Sequence, residues 1–258
     1  MAFRFALTAL LLPFLLRSSR AASRDIQALS ALSDFDHYRL ILVWPGSICN
    51  SGDVGVCCEP FTGKPAEDFL VQDLQTWAVL FGFLTIRVES CSNRRFYINA
   101  ISGTVRNAMR EQWTTLECPS TNPQQMWNAT WLASGTCSGG NETVFFETGL
   151  DIAKQANVLG GLRQYGIVPS DTKKYRYDKV CKALQKSVGK NVVITCNKNH
   201  DGKSQIYSVH VCANKEGSAL IDCPHTDFSC PQQVMLPVFT TDMLIDTSTN
   251  AVHLEMVL

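Results

Sequence analysis

Hydrophobic and polar positions along the chain alternate between two spacings. Residues 38–44, Tyr-Arg-Leu-Ile-Leu-Val-Trp, are aliphatic and β-branched and stop at Pro45-Gly46, which predicts a strand. Over 96–113 the apolar positions Ile98, Ile101, Val105, Met109 and Trp113 recur every three or four residues, the stripe of a helix with one buried face. The same spacing predicts a second helix over about 144–165, through Phe146, Leu150, Ala153, Val158 and Leu162. It ends at Gly166, with Pro169 just beyond. A third helix is predicted over about 172–188, before Gly189. Residues 191–196 and 205–212 read as strands joined by the turn Asn199-His-Asp-Gly202. The Cys-, Gly- and Pro-rich stretch 49–66 reads as loop. With no internal repeat or low-complexity linker, these elements predict one α+β domain.

The first 22 residues follow a different pattern. Arg4 precedes an apolar run over 5–16, and 17–22 is a small-residue exit, the anatomy of a secretory signal peptide. The run is too short to span a membrane, and no later stretch approaches the roughly 20 apolar residues that a span requires. The chain is therefore read as a leader (1–22), a domain (23–239) and a C-terminal extension (240–258). No membrane partner is expected, and the address is extracellular or, alternatively, a vacuole or another compartment of the secretory pathway.

Composition narrows the function. The chain has 258 residues, 45% hydrophobic and 18% charged, with 23 basic against 23 acidic side chains. That excludes a disordered, collagen-like or coiled-coil chain. Without the leader, 20 basic and 23 acidic groups remain, so no global positive field recruits nucleic acid. Residues 171–203 do hold nine Lys or Arg and three Asp, but without the interleaved exposed aromatics of a base-stacking platform. They read as the solvated side of a helix.

All eleven cysteines (49, 57, 58, 91, 118, 137, 181, 196, 212, 223 and 230) follow the leader. In an oxidising compartment they pair, and the odd count leaves one over. No Cys-x-x-Cys pair occurs and the five histidines (37, 200, 210, 225, 253) are scattered, so neither a metal nor a cofactor is expected. Asn128-Ala-Thr130 and Asn141-Glu-Thr143 are N-glycosylation sequons.

Several segments together resemble the ribonuclease T2 family, especially its plant S-like and S-ribonucleases. They are Trp44-Pro-Gly-Ser-Ile-Cys49, Cys57-Cys58-Glu-Pro and Thr62-Gly-Lys-Pro-Ala-Glu-Asp-Phe69. Further on come Trp127, Trp131 and Gly135-Thr-Cys137, then Gly166-Ile-Val-Pro169, Gly202-Lys-Ser-Gln-Ile-Tyr207 and Ile221-Asp-Cys223, with Cys230 last. The resemblance runs from about 34 to 239. It implies a disulfide-rich α+β fold, an antiparallel sheet flanked by helices. It also implies the pairs Cys49–Cys57, Cys58–Cys118, Cys91–Cys137, Cys196–Cys230 and Cys212–Cys223, with Cys181 a free thiol.

The implied activity is cleavage of single-stranded RNA through a 2′,3′-cyclic phosphate. It needs a base for the 2′-hydroxyl, an acid for the leaving oxygen and fixed charge for the phosphorane. The family draws these groups from His-Gly-Leu-Trp-Pro and Trp-x-His-Glu-Trp-x-Lys-His-Gly-Thr-Cys. Here the first segment reads Leu70-Val-Gln-Asp-Leu-Gln-Thr-Trp77, with Gln72 at the histidine. A glutamine amide exchanges no proton near neutral pH. In the second segment Ala129 replaces a histidine, Thr130 the glutamate, Ala133 the lysine and Ser134 the other histidine. His200 in the hairpin turn and His210 on a strand read as ordinary surface or packed residues, not substitutes. The reading is a secreted pseudoenzyme of binding, interaction or storage role, its protein partner unknown. The alternative is a residual ribonuclease or a non-cleaving binder of single-stranded RNA, stacking bases on Trp44, Trp127 and Trp131. A self-recognition protein of the S-locus type would need the missing activity. The apolar tail, including 243–245 and 252–258, reads as a sorting signal or a docked strand.

Overall fold

The computed structural model describes residues 34–51, 57–118, 122–224 and 230–246. The leader, His225, His253 and the apolar end of the tail lie outside them. Strand β1 (His37–Val43) pairs antiparallel with β2 (Leu70–Leu80) on one side and with β6 (Ser204–Asn214) on the other. Its apolar side chains are buried, as a central strand of β-branched and aliphatic residues requires. Strand β3 (Leu84–Val88) continues the sheet beyond β2, and β4 (Ser170–Arg176) closes the far edge on β8 (Gln233–Leu236). Strands β5 (Val193–Lys198) and β7 (Leu220–Ile221) both pair with β6. The eight described strands are antiparallel except for one parallel pairing, Gln205 with Met235, because β8 returns alongside β6.

Six helices accompany the sheet: α1 (Pro45–Cys49), α2 (Gly103–Gln112), α3 (Gln124–Ala133), α4 (Glu142–Ala156), α5 (Val158–Gln164) and α6 (Tyr177–Val188). Helix α4 packs across β1, β2 and β6. Its Phe145 and Phe146 are fully buried, Phe145 edge-on to Trp131 and Phe146 edge-on to Trp113. Aromatic pairs prefer this geometry because a positive ring edge meets a negative face.

Three predicted helices change in detail. The stripe over 96–113 is helical only from Gly103, because the Ser102 hydroxyl accepts from the Val105 amide and caps the helix there. Residues Ile98–Ala100 form a separate 3-10 turn. The helix over 144–165 is two, broken at Asn157, whose φ of 39° puts it in the left-handed region. The segment 172–188 starts as edge strand β4 and becomes helical at Tyr177. Its lysines carry no apolar period, so the pattern does not separate strand from helix. Strands β2 and β3, helices α1 and α3, and strand β8 have no counterpart among the predicted elements.

Five disulfides fasten loops to this framework: Cys49–Cys57, Cys58–Cys118, Cys91–Cys137, Cys196–Cys230 and Cys212–Cys223. Cys181, half-buried on α6, is free. Past Phe239 the chain docks as a short strand on the 57–59 segment, where Ile245 exchanges backbone hydrogen bonds with Cys57 and Glu59.

Candidate functional site

The two motif segments meet at the floor between β2 and α3. Along β1 the register slips by one: Ile41 faces Asp73, Leu42 faces Val71, and Gln72 is the bulged residue between them. A bulge re-aims the side chain it carries, and here it turns Gln72 out of the sheet into solvent. Gln72 lines a cleft of about 460 Å³ with Thr114 and Gln125, and with Asn197 and Tyr207 from β5 and β6.

Behind Gln72, Asp73 stands where the family motif has glycine. The Thr130 hydroxyl donates to Asp73 Oδ1 at 3.1 Å, the Gln75 amide donates to Oδ2 at 2.9 Å, and Arg87 pairs with the same oxygen at 3.2 Å. Trp77 Nε1 donates in turn to Gln75 Oε1, under the Arg39 guanidinium stacked 4.3 Å above the indole. Glu89 holds the other side of Arg87. These groups form a connected network beside Gln72, at the positions that the resemblance matches to the family's glycine and glutamate. None of them is free to shuttle a proton to a ligand.

The other motif positions divide by their place on α3. Ala129 is exposed and Ala133 half-buried, and neither has a group that titrates. Ser134 is 0% exposed, so its hydroxyl is closed to a substrate. His200 lies exposed in the β5–β6 turn. His210, on β6, is bonded to the Ser208 hydroxyl, and burial, with Arg39 adding, pushes its imidazole down to about 4. Neither lines the cleft.

The tryptophans correct an expectation. Trp44, Trp127 and Trp131 are each 1% exposed and offer no face to a base. Trp44 Nε1 donates to the Pro237 carbonyl and Trp127 Nε1 to that of Trp113, both at 2.7 Å. Carbonyls deep in the fold thus satisfy the polar ends of Trp44 and Trp127, while Trp131 is held in the core by Phe145 packed edge-on against it. None of the nine basic side chains of 171–203 lines the cleft either.

Asn128 is exposed on α3, one residue from Ala129. Asn141, also exposed, caps α4 through an Oδ1 that accepts from the Val144 amide, leaving its nitrogen outward. Among the described residues no group of three or more His, Cys, Asp or Glu is placed to hold a metal ion, and no helix is long and apolar enough to cross a membrane. A second cleft, of about 710 Å³, lies between α2 and α4, and none of Gln72, Ala129, Thr130, Ala133 and Ser134 lines it.

Sequence reasoning misses Asp73, Gln75 and Arg87 as a unit. The alternating polar side chains Asp73, Gln75 and Trp77 are the signal that this stretch is a strand with one polar face.

Known proteins bear the same framework. Ribonuclease 1 of Arabidopsis thaliana is 33% identical over 215 residues, 82% of this chain and 90% of that one. A ribonuclease-like storage protein of Panax ginseng is 28% identical over 192 residues, 74% of this chain and 76% of that one. The crystal structure of RNase NT in complex with 5′-AMP superimposes with a TM-score of 0.72 at 32% identity, over 80% of this chain and 100% of that one. The family description "Ribonuclease T2 family" matches residues 35–223, from the start of the central sheet to the last cysteine of the β6–β7 bridge. The chain thus belongs to the ribonuclease T2 family.

Proposed function

We propose that the protein is a secreted, non-cleaving member of its family whose scaffold serves binding or storage. One observation carries this reading. An Asp73–Thr130–Gln75–Arg87 network lies beside the positions where, on the resemblance, the acid, the base and the cationic stabiliser are replaced. Each acid or base contributes roughly 10²–10⁴-fold in such a step, so the loss amounts to about 10⁴–10⁸-fold, less any non-additivity. Arg87, the cation of this network, is paired with Asp73 and Glu89, so its charge is already offset where an RNA phosphate would approach. The name of the ginseng relative, a storage protein, accords with a scaffold valued for something other than cleavage. Export rests on the leader pattern at 1–22 and on five disulfides, which persist in oxidising compartments. A glycan on exposed Asn128 would stand beside Ala129 and further obstruct a polymeric substrate.

The test is cleavage of fluorescent single-stranded RNA by the purified glycoprotein from mildly acidic to neutral pH, beside an active relative. No turnover above buffer is expected. Turnover that co-purifies with the protein and survives Thr130→Ala would overturn the reading. Retention on single-stranded RNA that weakens with salt would favour the RNA-binding alternative, because phosphate contacts release counterions.

A further inference from the structure

The cleft that contains Gln72 is chemically unlike a phosphate site. Primary amides line it from three directions: Gln72 from β2, Gln125 from α3 and Asn197 from β5. Thr114 adds a hydroxyl and Tyr207 an aromatic ring. Among the described lining residues the single charged side chain is Glu117, and no cation is present. An amide both donates and accepts, as a hydroxyl does, so a ring of amides matches neighbouring hydroxyls on a neutral ligand.

Two residues of this lining carry a side-chain oxygen with unspent hydrogen-bonding capacity. Thr114 is 5% exposed, and its Oγ1 is shielded from solvent without a hydrogen-bond partner. Asn197 Nδ2 donates to the Ser47 carbonyl at 3.0 Å, which fixes the amide, while its Oδ1 is likewise shielded and unpartnered. Both residues line the cleft while the two oxygens themselves are shielded from it; buried polar atoms in a native fold are normally satisfied, so a ligand that turns the Thr114 hydroxyl toward the cleft gains a bond the free protein lacks. The cleft volume of about 460 Å³ falls within the roughly 300–1,000 Å³ typical of small-ligand sites.

We propose that this cleft binds a neutral, polyhydroxylated ligand, a mono- or disaccharide. Sugar hydroxyls bond to the amides of Gln72, Gln125 and Asn197 and to the Thr114 hydroxyl, and the sugar's C–H face lies against Tyr207. Glu117 and the lack of a cation disfavour a nucleotide phosphate at the same place. The proposal rests on the non-cleaving reading, since it gives the altered cleft a ligand in place of a substrate.

The experiment is saturation-transfer NMR with calorimetric titration of the full glycoprotein and of Asn128→Gln, so that a glycan near the rim cannot mask the result. The probes are glucose, galactose, mannose, N-acetylglucosamine, maltose and sucrose, beside uridine, adenosine and AMP. At least one sugar is expected to bind at millimolar concentration or below, more tightly than any nucleoside or nucleotide. Thr114→Val and Gln125→Ala should each weaken that sugar about five- to tenfold, the equivalent of one hydrogen bond. Thr114→Val should leave the melting temperature of the free protein unchanged or raised, because an orphan hydroxyl is removed and no bond is lost. Binding of none of the sugars, tighter binding of a nucleoside or AMP, or sugar binding indifferent to both variants would overturn the proposal. RNA cleavage by the same preparation would overturn the non-cleaving reading. Absence of both cleavage and sugar binding would sink this inference alone.

Discussion

The Thr130 hydroxyl reaches Asp73 Oδ1 across 3.1 Å and ties α3 to β2 at the point where the family's glutamate and glycine would sit. The bond is charge-assisted and half-shielded, so its loss is costly. Thr130→Val keeps the shape and removes the donor. It should destabilise the fold by about 1.5–3 kcal/mol, which for a domain of this size lowers the melting temperature by about 2–4 °C per kcal/mol. The double variant Thr130→Val, Asp73→Leu should lose less than the two single effects combined, because no carboxylate is left short of a donor. Denaturant midpoints of the four proteins measure this, and additive losses would show that the two side chains do not interact.

On the non-cleaving reading proposed above, restoring the reaction takes more than the five motif substitutions. Thr130→Glu places a second carboxylate against Asp73, and like charges at this range impede each other's ionisation. Gln72→His, Ala129→His, Thr130→Glu, Ala133→Lys and Ser134→His together should therefore cleave RNA poorly. Adding Asp73→Gly should raise the rate by about 10²-fold, comparable to one acid–base contribution. Equal rates with and without Asp73→Gly would mean that this carboxylate does not obstruct the site.

Acid sensitivity follows from two imidazoles. Burial, with Arg39 adding, pushes both His37 and His210 down to about 4, so the fold holds them neutral. In the unfolded chain a histidine titrates near about 6.5. Between these values the unfolded state takes up protons that the fold refuses. Stability is therefore full above about 6.5 and is lost as pH falls toward about 4, by up to about 1.4 kcal/mol per pH unit for each imidazole. Unfolding free energies measured across that window should rise with pH, and a flat profile would show that both rings are accessible to protons.

Gly46 is a packing constraint. A Cβ there would lie 2.8 Å from the carbonyl oxygens of Pro237 and Val238 and 2.7 Å from Trp44 Nε1. Backbone cannot yield cheaply, so Gly46→Ala should force the segment after β8 outward and strain the Trp44–Pro237 hydrogen bond, costing about 1–3 kcal/mol. Thermal melts read this directly, and an unshifted melting temperature would mean the segment moves freely.

Cys181 provides a chemical check on the fold. Burial pushes its thiol up, which lowers the thiolate fraction. The native protein should react slowly with a thiol reagent, and the unfolded, unreduced chain should titrate one thiol per molecule. Fast native reaction would place Cys181 on the surface.

The parts of the fold legible in the sequence are those with a local signature. β1 announces itself by an unbroken aliphatic run, and the β5–β6 hairpin by its Asn199–Gly202 turn. β2 escapes because Asp73, Gln75 and Trp77 make its outer face polar and the bulge at Gln72 breaks the alternation just where the motif lies. Family membership is legible from the framework of Trp127, Trp131 and Gly135–Cys137. The Asp73–Thr130 bond is not, because it joins residues 57 apart in sequence. The orphan oxygens of Thr114 and Asn197 escape for the same reason, since only folding brings β5 to the α2–α3 connection. The stacking faces of the RNA-binding alternative are not offered by Trp44, Trp127 and Trp131, because sequence identifies an aromatic but not its burial.

Helix α3 shows what such a scaffold permits. Trp127 and Trp131 face inward and hold the core, while Asn128, Ala129 and Leu132 face outward on the same ten residues. A position such as Ala129 can therefore change without touching the core, whereas Thr130 on the same helix is buried and bonded to Asp73, so a change there reaches β2 as well. New recognition on this helix has its outward residues to work with while the inward tryptophans keep the frame.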